Sequence, residues 1–260
     1  MKRIGIIVVV LSLLAGCVTT TDSRFAREAD RDKALNNYVR LATAYIGQGN
    51  LDRARHHLDR ALEIDKRYAP ALAAQGLVYS ADGENDLAEQ SFRRSLASDR
   101  NYTRGRIYYG AYLYSQRRFE EARDQFSAAS RDTNFDDRGS VFFNLGMTEE
   151  RLGNLESAEA AYRRSVDLTR GQPRSLLALS RVLVEQEEYS AASHFYSQLQ
   201  SVIQGSARHT HSSESLYTGI RLARHFGDLD REASMALMLR NEFPESIEYQ
   251  QYKVLIANEQ

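Results

Sequence analysis

Cys17 is the only cysteine among the 260 residues, and so the only thiol available for nucleophilic or acyl chemistry. A lone thiol forms no internal disulfide, which leaves covalent modification as its natural use. Other side chains that could do chemistry are weaker candidates. His209-x-His211 offers two imidazoles, half a metal site, but no third ligand is identifiable and the serine-rich surroundings read as an exposed loop. His56-His57 falls on a helical stretch where at least one of the two must face solvent. Asp228-Leu229-Asp230, directly after Gly227, reads as a helix start rather than a cation site. There is no G-x-S-x-G, no H-E-x-x-H and no phosphate-binding glycine loop, and no carboxylate pair is singled out for acid–base work. The expectation is a protein that is not an enzyme, with no metal, no cofactor and no small-molecule substrate.

Nucleic acid is also an unsuitable partner. The formal net charge is −1. Removing Lys2 and Arg3 with a leader takes it to about −3, and Arg93-Arg94 and Arg163-Arg164 sit on helices as solvated faces rather than a phosphate track.

The setting of Cys17 gives it a role. Lys2 and Arg3 supply a basic start, and Ile4 to Leu14 is an apolar run of 11 residues. A bilayer span takes about 20 apolar residues, so residues 1–16 read as a secretion signal and not a membrane helix. The run ends Leu14-Ala15-Gly16-Cys17, which resembles the bacterial lipobox. The resemblance implies cleavage before Cys17 and acylation of its thiol and new amino terminus. The other reading is an ordinary signal peptide with an incidental cysteine. Val18, not Asp, follows the cysteine, which by the sorting rule of enterobacterial-type lipoproteins implies the outer membrane, facing the periplasm. Residues 17–34 then form a tether, polar at Thr19-Thr20-Thr21 and charge-rich from Arg27 to Lys33, with the composition of a disordered spacer passing into the first helix.

The elements that carry the remaining surface are helical and repeated. In FFNLGMTEERLGNLESAEAAYRRSVDLTR, beginning at Phe142, two amphipathic stretches flank the Gly153-Asn154 break. Related stretches begin at Tyr38, Leu72, Arg106 and Leu176, and their anchors Ala54, Ala88, Ala122, Ala158 and Ala192 are spaced 34, 34, 36 and 34 residues apart. This period, with Gly76, Gly110 and Gly146 in the first helix and Phe92, Phe126, Tyr162 and Tyr196 in the second, resembles the tetratricopeptide repeat. Ala42 and Ser180 stand where two repeats lack the glycine, and Leu58 where the first lacks the aromatic. A sixth, degenerate copy runs to Ser246, with a turn at Gly227 and Ala233 one residue late for its anchor. Ala158 is expected to cross opposite Gly146. The expected fold is all-α: a right-handed solenoid of about six helix-turn-helix repeats over 35–246, closed by a capping helix over 247–260 whose Tyr249, Tyr252, Val254 and Ile256 have something to bury.

In such solenoids the first helices line a groove. Carried over by register, the lining includes Val39 and Ile46, Leu77, Ile107 and Tyr114, Phe143 and Met147, and Leu177. Several of these could instead be core contacts between repeats. The lining reads as apolar and aromatic with few charges, and Ile107 and Phe143 hold the same repeat position in consecutive first helices. Val39, Thr43 and Ala73 stand where the chaperone-binding branch has its carboxylate clamp, so that clamp is missing. An apolar groove suits an amphipathic or extended apolar segment of a partner.

The layout of lipobox, short tether and six repeats, with Arg240-Asn241-Glu242-Phe243-Pro244-Glu245-Ser246 near the end, resembles the PilF/PilW pilotins, the type IV pilus biogenesis and stability proteins. What the resemblance implies is a non-enzymatic, lipid-anchored outer-membrane protein that binds secretin subunits and promotes their targeting and multimerisation. The alternative is a periplasmic tetratricopeptide scaffold lipoprotein that organises cell-wall enzymes.

Overall fold

Each first helix of the array stops at a residue in the left-handed backbone region. Gly49, Gly83, Gly153 and Gly227 have φ between 70° and 80°. Arg117 (φ 59°) and Glu187 (φ 63°) hold the same place in the third and fifth repeats, at a cost of about 1 kcal/mol each that glycine escapes. The chain reverses there, and a second helix returns along the first.

The computed structural model describes residues 24–205 and 209–257. The leader 1–16, Cys17 and the first part of the tether lie outside the described residues, as do 206–208 of the serine-rich break. Among the described residues there are thirteen helices and no strand. They pair as α1 (Arg24–Gly47) with α2 (Leu51–Ile64), α3 (Ala69–Ala81) with α4 (Asn85–Ser98), and α5 (Thr103–Ser115) with α6 (Phe119–Ser130). The later pairs are α7 (Arg138–Arg151) with α8 (Leu155–Thr169), α9 (Pro173–Glu185) with α10 (Tyr189–Gln204), and α11 (Ser213–His225) with α12 (Leu229–Glu242); α13 (Ile247–Ala257) closes the array. Pro70 and Pro173 sit in the first turns of α3 and α9, where a missing N–H costs nothing. Asn50 and Asp228 cap α2 and α12 by accepting from the backbone N–H of Arg53 and Arg231.

The glycine of each first helix receives the aromatic ring of the second. A methyl group added at Gly76 would lie 2.6 Å from the Phe92 ring, at Gly110 2.9 Å from Phe126, and at Gly146 2.6 Å from Tyr162. The ring against Gly146 is therefore Tyr162. This corrects the expected Ala158–Gly146 pairing; Ala158 is fully buried but is not the nearest neighbour of the glycine. Where the glycine is lost in repeat one, the large partner shrinks with it, and Ala42 and Leu58 share one buried cluster. Repeat six reverses the sizes. Counted from the Gly227 turn, Ile220 holds the glycine place and Ala236 the aromatic place, both buried in the cluster that unites repeats four to six.

The same count resolves the register of repeat six. The alanine anchors stand five residues after the turn, and there the sixth copy has Glu232, not Ala233. Ala233 is exposed, whereas Glu232 is largely buried and pairs with Arg224 of α11 at 2.5 Å.

One boundary and one buried face also differ from expectation. The spacer was expected to run through Ala34, yet α1 begins at Arg24. Residues 24–34 contain no glycine or proline, and their alternating charges suit an exposed helix as well as a coil. Arg31 ties this turn to the end of α2 through Asp65 at 3.1 Å, and Leu35 is buried. At the other end α13 packs on α11 and α12 through Tyr249 and Tyr252, but Val254 remains 61% exposed, so the apolar face of this helix is only partly covered.

Charge also joins neighbouring repeats. Glu89 of α4 accepts from Arg118, which precedes α6, at 2.7 and 3.0 Å, and from the Tyr109 hydroxyl at 3.0 Å. The Arg118 hydrogen bonds, with that from Tyr109 and the nearby arginine charges, outweigh burial and pull the Glu89 carboxyl down from 4.5 to about 2. Because the folded value lies below the unfolded one, this stabilisation is complete above about pH 4.5 and is lost as pH falls towards 2. Chemical denaturation at pH 6 and pH 3 should show that Glu89→Gln loses less stability across this interval than the wild type. Equal losses would mean that the carboxylate does not carry the acid response.

Candidate partner-binding cleft

First helices pack on first helices: α1 on α3, α3 on α5, α5 on α7, and α9 on α11. Among these neighbouring pairs α7 and α9 approach each other least, and a cleft of about 510 Å³ opens between them. Phe143, Met147, Glu150 and Arg151 come from α7, and Arg174, Leu177, Ala178 and Arg181 from α9. Tyr114 of α5, Tyr162 of α8 and Glu214 of α11 complete it.

Of the eight residues expected to line a groove, the structure brings Tyr114, Phe143, Met147 and Leu177 together here. Val39 lines a separate depression of about 440 Å³ with Asn36, Thr43, Pro70, Tyr102, Arg104 and Tyr108. Ile46, Leu77 and Ile107 line neither and pack against the cores of repeats one to three. Ile107 and Phe143 therefore do not form one surface: Ile107 belongs with the Phe92–Phe126 core, while Phe143 lies 5.7 Å from the Tyr162 ring.

The expectation of few charges needs correction as well. At the floor Arg181 forks onto Glu150, with Nη1 and Nη2 each 2.7 Å from a carboxylate oxygen. Its Nε stands 2.7 Å from Glu214 as a charge pair but makes no aligned hydrogen bond. The Tyr162 hydroxyl donates to Glu150 as well. Burial, reinforced by the Glu150 carboxylate, pushes the Tyr162 phenol far up, so it remains a neutral donor. Burial works against the Arg181 charge, but the hydrogen bonds and charge of Glu150, then the charge of Glu214, prevail and raise its pKa.

Two further arginines sit at the mouth with neutral partners. Arg174 donates to Ser140 Oγ at 2.6 Å and Gln172 Oε1 at 3.2 Å, and its guanidinium carbon lies 4.7 Å from the Phe143 ring centre. Arg151 donates to the Tyr114 hydroxyl at 3.1 Å. The repeat register already places Glu150 and Arg181 on the lining, and it reaches Arg174 and Glu214 as well. Arg174 and Glu214 hold the second position of repeats five and six, and Arg181 the ninth of repeat five. Glu214 stayed hidden because the sixth register was set by Ala233. Arg151 falls outside the lining positions and carries no sequence signal of its own.

His211, expected in an exposed loop, is half-buried and hydrogen-bonded to Ser215 Oγ at 2.8 Å; His209 is exposed. Among the described residues no three His, Cys, Asp or Glu side chains converge as a metal site.

Paired helices stacked in register, with a side-chain-lined cleft on the first helices, define a tetratricopeptide-repeat protein. The tetratricopeptide-repeat family models match residues 33–68, 69–102 and 110–173. The chain is 36% identical over 241 residues to the type IV pilus assembly protein PilF of Pseudomonas aeruginosa, covering 92% of this chain and 93% of that one. The solved structure of Pseudomonas aeruginosa PilF superposes with a TM-score of 0.77 at 36% identity, covering 86% of this chain and 99% of the other. PilW, described as a widely conserved type IV pilus biogenesis factor, shares the fold with a TM-score of 0.69 at 22% identity, over 84% of this chain and 97% of its own. The chain belongs to the PilF family of type IV pilus assembly proteins. Its role lies in pilus biogenesis, as a cell-envelope component working through protein partners, and no helix among the described residues is long and apolar enough to cross a membrane.

Proposed function

We propose that the chain is a non-enzymatic pilotin: an outer-membrane lipoprotein, acylated at Cys17, that binds secretin subunits and promotes their targeting and multimerisation. The lipid sets the location, and the cleft between α7 and α9 holds the client. The observation that carries this reading is the convergence of Tyr114, Phe143, Met147 and Leu177 in one open cleft, in a chain of the PilF family. A core would have hidden these side chains, yet Phe143, Met147 and Leu177 are all partly exposed. An apolar segment seated there would desolvate them, and anchors of this kind commonly contribute 2 kcal/mol or more.

Replacing Phe143 and Leu177 together by glutamate tests the reading. The carboxylates can reach water through the mouth, so helicity should persist and melting should fall only modestly. Secretin binding should weaken at least about thirtyfold for a loss of 2 kcal/mol, and monomer should accumulate in place of assembled secretin on gels. A milder pair, Phe143→Ser with Leu177→Ser, covers the case in which the glutamates disturb Tyr162 beneath. Normal multimers from a stable, correctly located variant would exclude the cleft as the working surface.

A further inference from the structure

We infer that the α7–α9 cleft selects a partner segment carrying two carboxylates on either side of an apolar side chain. The inference rests on the reading of this cleft as the partner site and names the chemistry of its occupant.

At the floor one arginine, Arg181, is clasped between two carboxylates, Glu150 and Glu214, which leaves a single net negative charge there against the two cations of the mouth. The mouth is different. The hydrogen bonds of Arg174 and Arg151 in the cleft go to neutral oxygens, each arginine uses a minority of its five N–H donors on them, and Glu150 acts on Arg151 only through space. Those neutral bonds orient the guanidinium groups without neutralising them. Arg174 is held over the Phe143 ring at one end of the cleft, and Arg151 on Tyr114 at the other. Two oriented cations with spare donors, on an apolar strip, are complementary to carboxylates flanking an apolar group. Basic or neutral segments leave the donors to water, and a purely acidic segment leaves the strip uncovered.

The spacing sets the form. Phe143 and Arg151 are eight residues apart on α7, about 12 Å at 1.5 Å per residue. An extended chain covers that distance in about four residues at 3.3 Å each. The fitting segment is acidic, two or three residues including one large apolar side chain, then acidic again. A phospholipid headgroup would offer an anion but not this spaced pair.

The probe is the blocked, fluorescein-labelled peptide Glu-Ser-Phe-Ser-Glu between glycines, titrated by anisotropy into the purified mature chain. Its controls are the peptide with both Glu replaced by Gln and the peptide with Phe replaced by Ser. We expect saturable binding of the acidic peptide, at least tenfold tighter than either control and weakened by salt. Arg174→Gln with Arg151→Gln, both exposed positions that leave the fold intact, should abolish the preference for Glu over Gln. Equal binding of the Glu and Gln peptides, no saturable binding, or a preference that survives loss of both arginines would overturn the inference. So would equal capture of anionic phospholipid vesicles through the same arginines. The peptide assay contains no secretin, so its failure is separable from that of the secretin assay: normal peptide selectivity with secretin assembly indifferent to the cleft would remove the client and leave the site.

Discussion

Replacing Tyr162 by alanine should cost the repeat array about 3–5 kcal/mol, the range for emptying a large aromatic site in a packed core. Tyr162 is fully buried, fills the place that Gly146 leaves open, and supplies the hydroxyl bonded to Glu150 at the cleft floor. No substitution nearby can refill that volume, because Gly146 has no side chain to move into it. The damage should be local, since repeats make their main contacts with their immediate neighbours. Hydrogen exchange should lose protection first in α7 to α10, while α1 to α4 keep theirs. Uniform loss along the chain would show a single cooperative block. A cost below about 1 kcal/mol would show that the ring does not close the repeat.

The other large effect concerns location. On the proposed lipidation, Cys17→Ser should remove the protein from the outer-membrane fraction, with the helical content unchanged. The hydroxyl does not replace the thiol in acyl transfer of this type, and no helix among the described residues is long and apolar enough to cross a bilayer in its place. Each buried acyl methylene contributes about 0.8 kcal/mol, so two or more chains make an anchor that washing does not remove. Fractionation with mass analysis of the amino terminus reads both points. An unacylated variant that still sediments with the outer membrane would defeat the lipid address.

How much of this could be read beforehand depended on which signals repeat. The five alanine anchors recur at intervals of 34 or 36 residues, so the pairing of helices and the position of turns such as Gly153 were legible. The partner of Gly146 was not, because a helical stretch shows which residues are buried without showing which ring enters which gap. Repeat six misled for a physical reason: a carboxylate paired to Arg224 does the spacing work that alanine does elsewhere, so Ala233 drew attention away from Glu232. The start of α1 was obscured because the charges that suit an exposed helix also suit a coil. In the cleft the apolar half was legible from register. Of the charged half, Glu150 and Arg181 were legible from the same register, whereas Glu214 and Arg151 became visible only once the structure brought them beside those two.

The Gly/aromatic closure of repeats two to four turns into Ile220/Ala236 in repeat six, and this has a consequence for exchange between repeats. A second helix bearing a ring fits a first helix with a glycine or another small residue at that place, as Ser180 is for Tyr196, so the second helix of repeat six suits repeat three poorly, and that of repeat three suits repeat six poorly. A duplicated or slipped register at the end of the array would place Phe126 against Ile220, or Ala236 against Gly110, one pairing too full and the other hollow. The last repeat thus carries a key cut differently from those of repeats two to four, so its two helices are matched to each other rather than to theirs.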